Sequence, residues 1–261
     1  MDLSISMQSL KNVIRFPFQD PNWAVKLLIG SALGLAGFIV PLVPGLPLMG
    51  YFARVIRAGA RNDDPSRLPE WDDWGELFVD GLRLMGVILL GMLPGLLVML
   101  FGFVIYFGSV FNLVMQSNYY SRGEPGPGFL LGMLIMFLSI SLSTLLFLAA
   151  AFILPPAAAH VAVKRRFSAL FEVNAWWRVL RQNLLGFLVI LLVFGALYSL
   201  VMVVTQVLYM TLIFCILIHF VLLPLSMYMA VVLFRLIGQA YGEVSSAAVE
   251  PEAGLAAEPV I

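Results

Sequence analysis

Formal charge is scarce in this sequence, and long stretches have none. From Leu184 to Phe234 it runs fifty-one residues without a Lys, Arg, Asp or Glu; Leu84–Gln116 (33 residues), Phe129–His160 (32) and Leu27–Ala53 (27) are equally bare. As one straight helix at about 1.5 Å per residue, the longest run would measure roughly 76 Å, more than twice a hydrocarbon core of about 30 Å. It must cross a bilayer, turn and come back. Charged residues make up 11% of the chain, against about 25% in a soluble domain, so a water-soluble fold is excluded.

Cysteine and histidine are nearly absent. Cys215, the only cysteine, lies in an apolar run, which excludes a disulfide framework and a cysteine-based zinc cluster. His219 follows Cys215 by four residues on one helix face, but the pair has no orienting acid for nucleophilic chemistry and no further ligands for a metal. His219 reads as a packed histidine bonding across helices, and His160 as an interfacial residue. The lack of charge inside the spans argues against a proton relay or ion pathway. No catalytic, cofactor or metal site is assigned, and no cofactor is implied. Fifteen Lys+Arg balance fifteen Asp+Glu, and no nucleic-acid partner is expected. A secretory signal peptide is not evident, because the first apolar run starts near Ala24 and has no small-residue cleavage site at its end.

What charge there is clusters between the runs. Lys11, Arg15 and Lys26 precede the first; Arg54, Arg57, Arg61, Arg67 and Arg83 follow it; Arg122 alone lies in 117–128; Lys164, Arg165, Arg166, Arg178 and Arg181 lie in 161–183; Arg235 follows the last run. Basic loops stay in the cytoplasm. The middle segments therefore alternate cytoplasmic and external, with both termini cytoplasmic, provided that 27–53 does not cross. Pro41, Pro44, Gly45 and Pro47 interrupt that run, and the apolar pieces on either side are too short to span. The expectation is a re-entrant hairpin turning at Pro41–Pro47 and covered by other helices; a single kinked span is the alternative. Four spans remain: Leu84–Gln116, Phe129–Ala159, Leu184–Thr205 and Tyr209–Phe234. Pro94, Pro155, Pro156 and Pro224 should kink or end their helices. The fold class is all-α and polytopic, with residues 1–238 as a helical membrane domain and 239–261 as a disordered acidic tail.

Two polar segments have helical patterning. In 69–83, Trp71, Trp74, Phe78 and Leu82 share one stripe and Asp72, Glu76 and Asp80 another, which suggests an amphipathic interfacial helix started by Asp73 and Glu76. In 164–183 the apolar stripe is Phe167, Leu170, Phe171, Trp177 and Leu180. The basic residues Lys164, Arg165, Arg166, Arg178 and Arg181 are candidate contacts for anionic lipid. Opposite charge on the two segments suggests a collar in which the acidic stripe pairs with Arg165, Arg166, Arg178 or Arg181. Within the spans, Ser109, Asn112, Gln116, Ser139, Ser141, Ser143, Thr144 and Ser226 are expected to bond across helices; Asn112 and Gln116 share a face that can line a polar cavity.

The residues Phe16-Pro17-Phe18-Gln19-Asp20-Pro21-Asn22-Trp23, Lys26, Gly50-Tyr51, Arg54, Leu68-Pro69-Glu70-Trp71-Asp72-Asp73-Trp74-Gly75, Leu77-Phe78 and Asp80-Gly81 resemble the prokaryotic family called domain of unknown function 4013. The resemblance is most specific in LPEWDDWG. It implies a multi-pass helical membrane protein and brings no activity with it. Pro69, Glu70, Trp71, Asp72, Asp73, Trp74, Gly75, Glu76 and Asp80 are thus candidates for an interfacial, structural motif.

The reading that best fits is a non-enzymatic scaffold, assembly or lipid-interacting component. Its partners are membrane lipids, with anionic headgroups at the cytoplasmic face, and a membrane protein or a second copy. A transporter subunit for an apolar or amphipathic solute is the alternative, since a broken hairpin can build a site. A lipid-modifying enzyme holding a divalent ion on Asp63, Asp64, Asp72, Asp73, Glu76 and Asp80 is the third.

Overall fold

A computed structural model describes residues 15–40, 42–64, 67–119, 126–210 and 214–247. Their regular structure is helical throughout: α1 (Trp23–Ile39), α2 (Gly45–Ala60), α3 (Trp74–Tyr119), α4 (Pro127–Lys164), α5 (Val173–Gln182), α6 (Leu184–Tyr209) and α7 (Phe214–Ala247), with 3₁₀ turns at Phe16–Gln19 and Phe167–Phe171. Among the described residues four helices are long and apolar enough to cross a membrane: Trp74–Met115, Pro127–Lys164, Leu184–Tyr209 and Val221–Ser245. The protein is a multi-pass helical membrane protein.

The chain forms two compact units, one from Met1–Val87 and Pro155–Ile261, the other Ile88–Leu154. In the first, α2 is the central element. Tyr51, Phe52, Ala53, Val55 and Ile56 are buried on it, and α7 packs along it. Glycines let the backbones touch. A Cβ on Gly238 would lie 2.2 Å from the Ile56 carbonyl oxygen, and one on Gly242 2.3 Å from that of Ala60. On the other side of α2, Gly50 faces the Leu77 carbonyl and Gly81 faces that of Leu46, at 1.9 and 1.8 Å for an added Cβ. Helices in lipid gain by such close approach, since lipid tails are as apolar as the side chains they would replace.

The break between α1 and α2, at residues 40–44, overlaps the expected turn at Pro41–Pro47 but begins one residue earlier and ends before Gly45. Val40 donates its N–H to Ala36 at 2.9 Å, Leu42 has φ 75°, and Leu46 donates to Leu42 at 3.1 Å. Pro47 lies in the first turn of α2, where its missing N–H leaves nothing unpaired. Elsewhere the prolines do not end helices: Pro94, Pro155, Pro156 and Pro224 lie inside α3, α4 and α7. Neighbouring helices and local adjustment tolerate proline in spans.

Three further expectations are corrected. Segment 69–83 is not a separate helix. Pro69–Asp73 is non-helical, and α3 then runs unbroken into the span. The Asp73/Glu76 start is real: Asp73, at φ 45°, accepts the Glu76 N–H on Oδ1 at 3.1 Å and the Leu77 N–H on its carbonyl at 3.1 Å. In 164–183 the inward residues are Ala169, Trp176, Val179 and Leu180, while Phe171 is 71% exposed. Glu172, at φ −78° and ψ 57°, separates the 3₁₀ turn from α5, so the residues on its two sides do not share one helical stripe. Finally, α7 continues through Gly238 to Ala247 and buries Ala240 and Tyr241. The predicted tail therefore begins no earlier than residue 248, and residues 248–261 lie outside the described part.

In the second unit α3 and α4 face each other through Gly91 and Leu154, Gly95 and Phe147, Gly102 and Ser139, and Ser109 and Gly132. Large apolar side chains such as Leu97, Phe101, Val104, Phe107, Leu138 and Leu145 point outward. Four of the side chains expected to bond across helices bond within their own helix instead: Ser109 donates to Tyr106 (2.7 Å), Asn112 to Gly108 (3.0 Å), Ser141 to Phe137 (2.9 Å) and Thr144 to Ile140 (2.8 Å). A short polar side chain reaches the carbonyl one turn back more readily than another helix. Asn112 also lines a cleft of about 470 Å³ with Ile105, Ser109 and Phe129. The side chains of Gln116, Cys215 and His219 lie outside the described residues.

Candidate functional site

Most of the ion pairs of the first unit fall into three groups. The innermost is built on Lys26, in the first turn of α1 and 4% exposed. Its ammonium has three acceptors: Asp20 Oδ2 at 2.8 Å, the Leu68 carbonyl at 2.9 Å and Glu70 Oε1 at 2.6 Å. Asp20, itself 3% exposed, also accepts the Leu68 N–H at 2.9 Å and the Asn22 N–H at 2.7 Å. Burial by itself pushes the Asp20 carboxyl up, but the bonds from Lys26, Asn22 and Leu68 outweigh it and hold the group below its ordinary range. Burial likewise pulls Lys26 down, and Asp20 and Glu70 more than reverse that. Trp71 completes the clasp: its indole N–H donates to the Lys26 carbonyl at 3.0 Å, and its ring stacks on Tyr51 at 4.0 Å and 5°. The non-helical strap 68–71 is thereby tied to α1 and α2 together.

The second group joins α2 to the start of α3. Asp80 lies between Arg57 and Arg83, each at 2.7 Å. Glu76 faces Arg54 at 3.5 Å and Arg57 at 3.6 Å and is also paired with Arg165; Arg54 is paired with Asp72 as well. The collar predicted from the sequence therefore exists in part. Arg165 joins it, whereas Arg166 turns to Glu172, and Arg178 and Arg181 make no ion pair among the described residues. Its main cations, Arg54 and Arg57, were missed. Their spacing of three on a helix facing the acids was the available signal, but only tertiary packing brings α2 against α3.

The third group centres on Glu172, which takes Lys164, Arg166 and His160. The bonds from Lys164 and His160 hold its carboxyl down at about 2. A carboxylate only accepts, so the His160 Nε2 3.0 Å away carries a proton, and Nδ1 is hydrogen-bonded to the Tyr241 hydroxyl at 2.7 Å. His160, 3% exposed, is thus a buried bridge between α4 and α7 near the Lys164 end of its helix. Arg235, buried on α7, donates to the Asp63 carbonyl and sits 5.4 Å from the centre of the Phe16 ring.

Asp72, Glu76 and Asp80 are all engaged by arginine, and among the described residues no group of three or more His, Cys, Asp or Glu is placed to hold a metal ion. The arrangement braces helices against one another at the ends of the spans.

A family model described as "Protein of unknown function (DUF4013)" matches residues 33–210. The chain belongs to this family. The match takes in LPEWDDWG and the collar from Arg54 to Arg165, but it begins after Asp20 and Lys26. In this DUF4013 protein the lysine clasp therefore joins a segment outside the matched region to one inside it. No curated protein and no solved structure matches the chain.

Proposed function

We propose that this DUF4013 protein is a non-enzymatic component of the cytoplasmic membrane that acts through lipid and helix contacts, with its arginine-bearing segments in the cytoplasm. One observation carries the reading: Asp20, Lys26, Arg54, Arg57, Glu76, Asp80 and Glu172 are spent on one another and on their neighbours as helix braces, in the clasp on Lys26, the collar on Glu76 and Asp80, and the hub on Glu172. Such a frame holds spans in place and offers lipid its outer faces. The ends of α2, α4 and α7 and the start of α3 gather around these braces, which supports one common side for the arginines and a re-entrant α1–α2 hairpin. The hairpin's broken backbone favours the second reading, a transporter subunit for an apolar or amphipathic solute.

Reconstituted full-length protein separates the two. Native mass spectrometry is expected to find phospholipid retained through mild detergent, and vesicles containing the protein are expected to pass no more amphipathic dye than empty ones. Protein-dependent flux would replace the scaffold reading with the transporter one.

A further inference from the structure

Helix α5 has two sides. Trp176, Val179 and Leu180 are buried within the first unit. Val173, Trp177 and Arg181 follow one another at helical spacing of four on another side, with Asn174 and Arg178 exposed beside them and Phe171 projecting from the preceding turn. Val173 is 49% and Phe171 71% exposed. No acid occurs in Val173–Gln182. The five basic residues of the segment are not equivalent. Lys164 and Arg166 are spent on Glu172 and Arg165 on Glu76, whereas Arg178 and Arg181 have no carboxylate partner among the described residues. The Arg181 guanidinium lies 5.6 Å from the centre of the Trp177 ring. The chain reaches this segment directly from one membrane-crossing helix, ending at Lys164, and leaves it for another at Leu184. That places it at the boundary between hydrocarbon and water.

We propose that this outer side of α5 is a docking surface for anionic phospholipid of the membrane that the protein spans, with Arg178 and Arg181 taking the headgroup phosphate and Phe171 entering the acyl boundary. Exposed aromatic and aliphatic side chains beside free cations are what an interfacial helix needs. The proposal rests on the lipid-contact reading above and narrows its five basic residues to two.

The test uses the full chain with Cys215→Ala and a bimane label on Asn174→Cys, in vesicles of phosphatidylcholine with or without phosphatidylglycerol. Brominated phosphatidylglycerol is expected to quench the label more strongly than brominated phosphatidylcholine. Arg178→Gln and Arg181→Gln should each lower that preference about fivefold, with Tm unchanged because both side chains are exposed. Arg165→Gln should change the preference less than twofold. Equal quenching by both lipids, indifferent to the two arginines, would overturn the proposal. So would a label reached only by aqueous iodide, or one shielded from lipid and iodide alike by another protein or a second copy. Solute flux would sink the functional reading while leaving a positive quenching result intact.

Discussion

Lys26 and Asp20 show at the level of single residues why buried charge here is structural. Each is nearly inaccessible, and each has its bonding capacity filled by the other and by the strap at 68–70. Lys26→Met leaves the Asp20 carboxylate buried with its main partner gone, so it should cost about 3–5 kcal/mol, seen as a lower Tm in detergent; adding Asp20→Asn should recover part of the loss. The same groups set the pH dependence. Asp20 and Glu172 titrate lower in the folded state than in the unfolded chain. Their contribution is therefore full above the ordinary carboxylate range and lost as pH falls through it, for Glu172 toward about 2. Lys26 titrates higher when folded, so its contribution is full below the ordinary lysine range and lost as pH rises through its folded value. Denaturation followed by tryptophan fluorescence should show a plateau at neutral pH bounded on both sides, and Lys26→Met should remove the alkaline limb attributable to this pair.

Where helices meet, glycine decides whether they can. A methyl group on Gly50 or Gly81 would collide with backbone carbonyls of the facing helix, and backbone cannot rotate aside. Gly50→Ala or Gly81→Ala should therefore prevent α2 and α3 from seating, with loss of the monodisperse peak on size exclusion. Gly108→Ala, where nothing lies within 4 Å of an added Cβ, should be neutral or stabilising by up to about 1 kcal/mol. The collar makes a finer prediction. Glu76→Arg should lower Tm, and Arg165→Glu added to it should restore only part, because Arg54 and Arg57 still face position 76. Complete rescue would mean that Arg165 is the dominant partner.

Across the whole chain, the proposed arrangement of four spans and a non-crossing α1–α2 pair predicts a definite labelling pattern. In a Cys215→Ala background, a membrane-impermeant maleimide added to intact cells should react at Gly128→Cys and leave Arg61→Cys and Ser168→Cys untouched until the membrane is opened. Labelling of Arg61→Cys from outside would show that residues 27–53 cross. Labelling of Ser168→Cys from outside would invert the arrangement of the arginine-bearing segments.

Hydrocarbon rejects charge so strongly that the uncharged runs by themselves determined the class of this protein and its four helices long enough to cross, while the break near Pro44 follows from proline's missing donor and fixed φ. The Asp73–Glu76 helix start was legible for the same local reason. The partners of the charges were not. Arg54 and Arg57 beside Glu76 and Asp80, His160 between Tyr241 and Glu172, and the turning of Phe171 outward all depend on which helix faces come together. That choice is made by backbone contacts at Gly50, Gly81, Gly238 and Gly242. A periodicity in one segment reports the side that is apolar; which neighbour covers it, and which arginine is left for a lipid, is decided only when the helices pack.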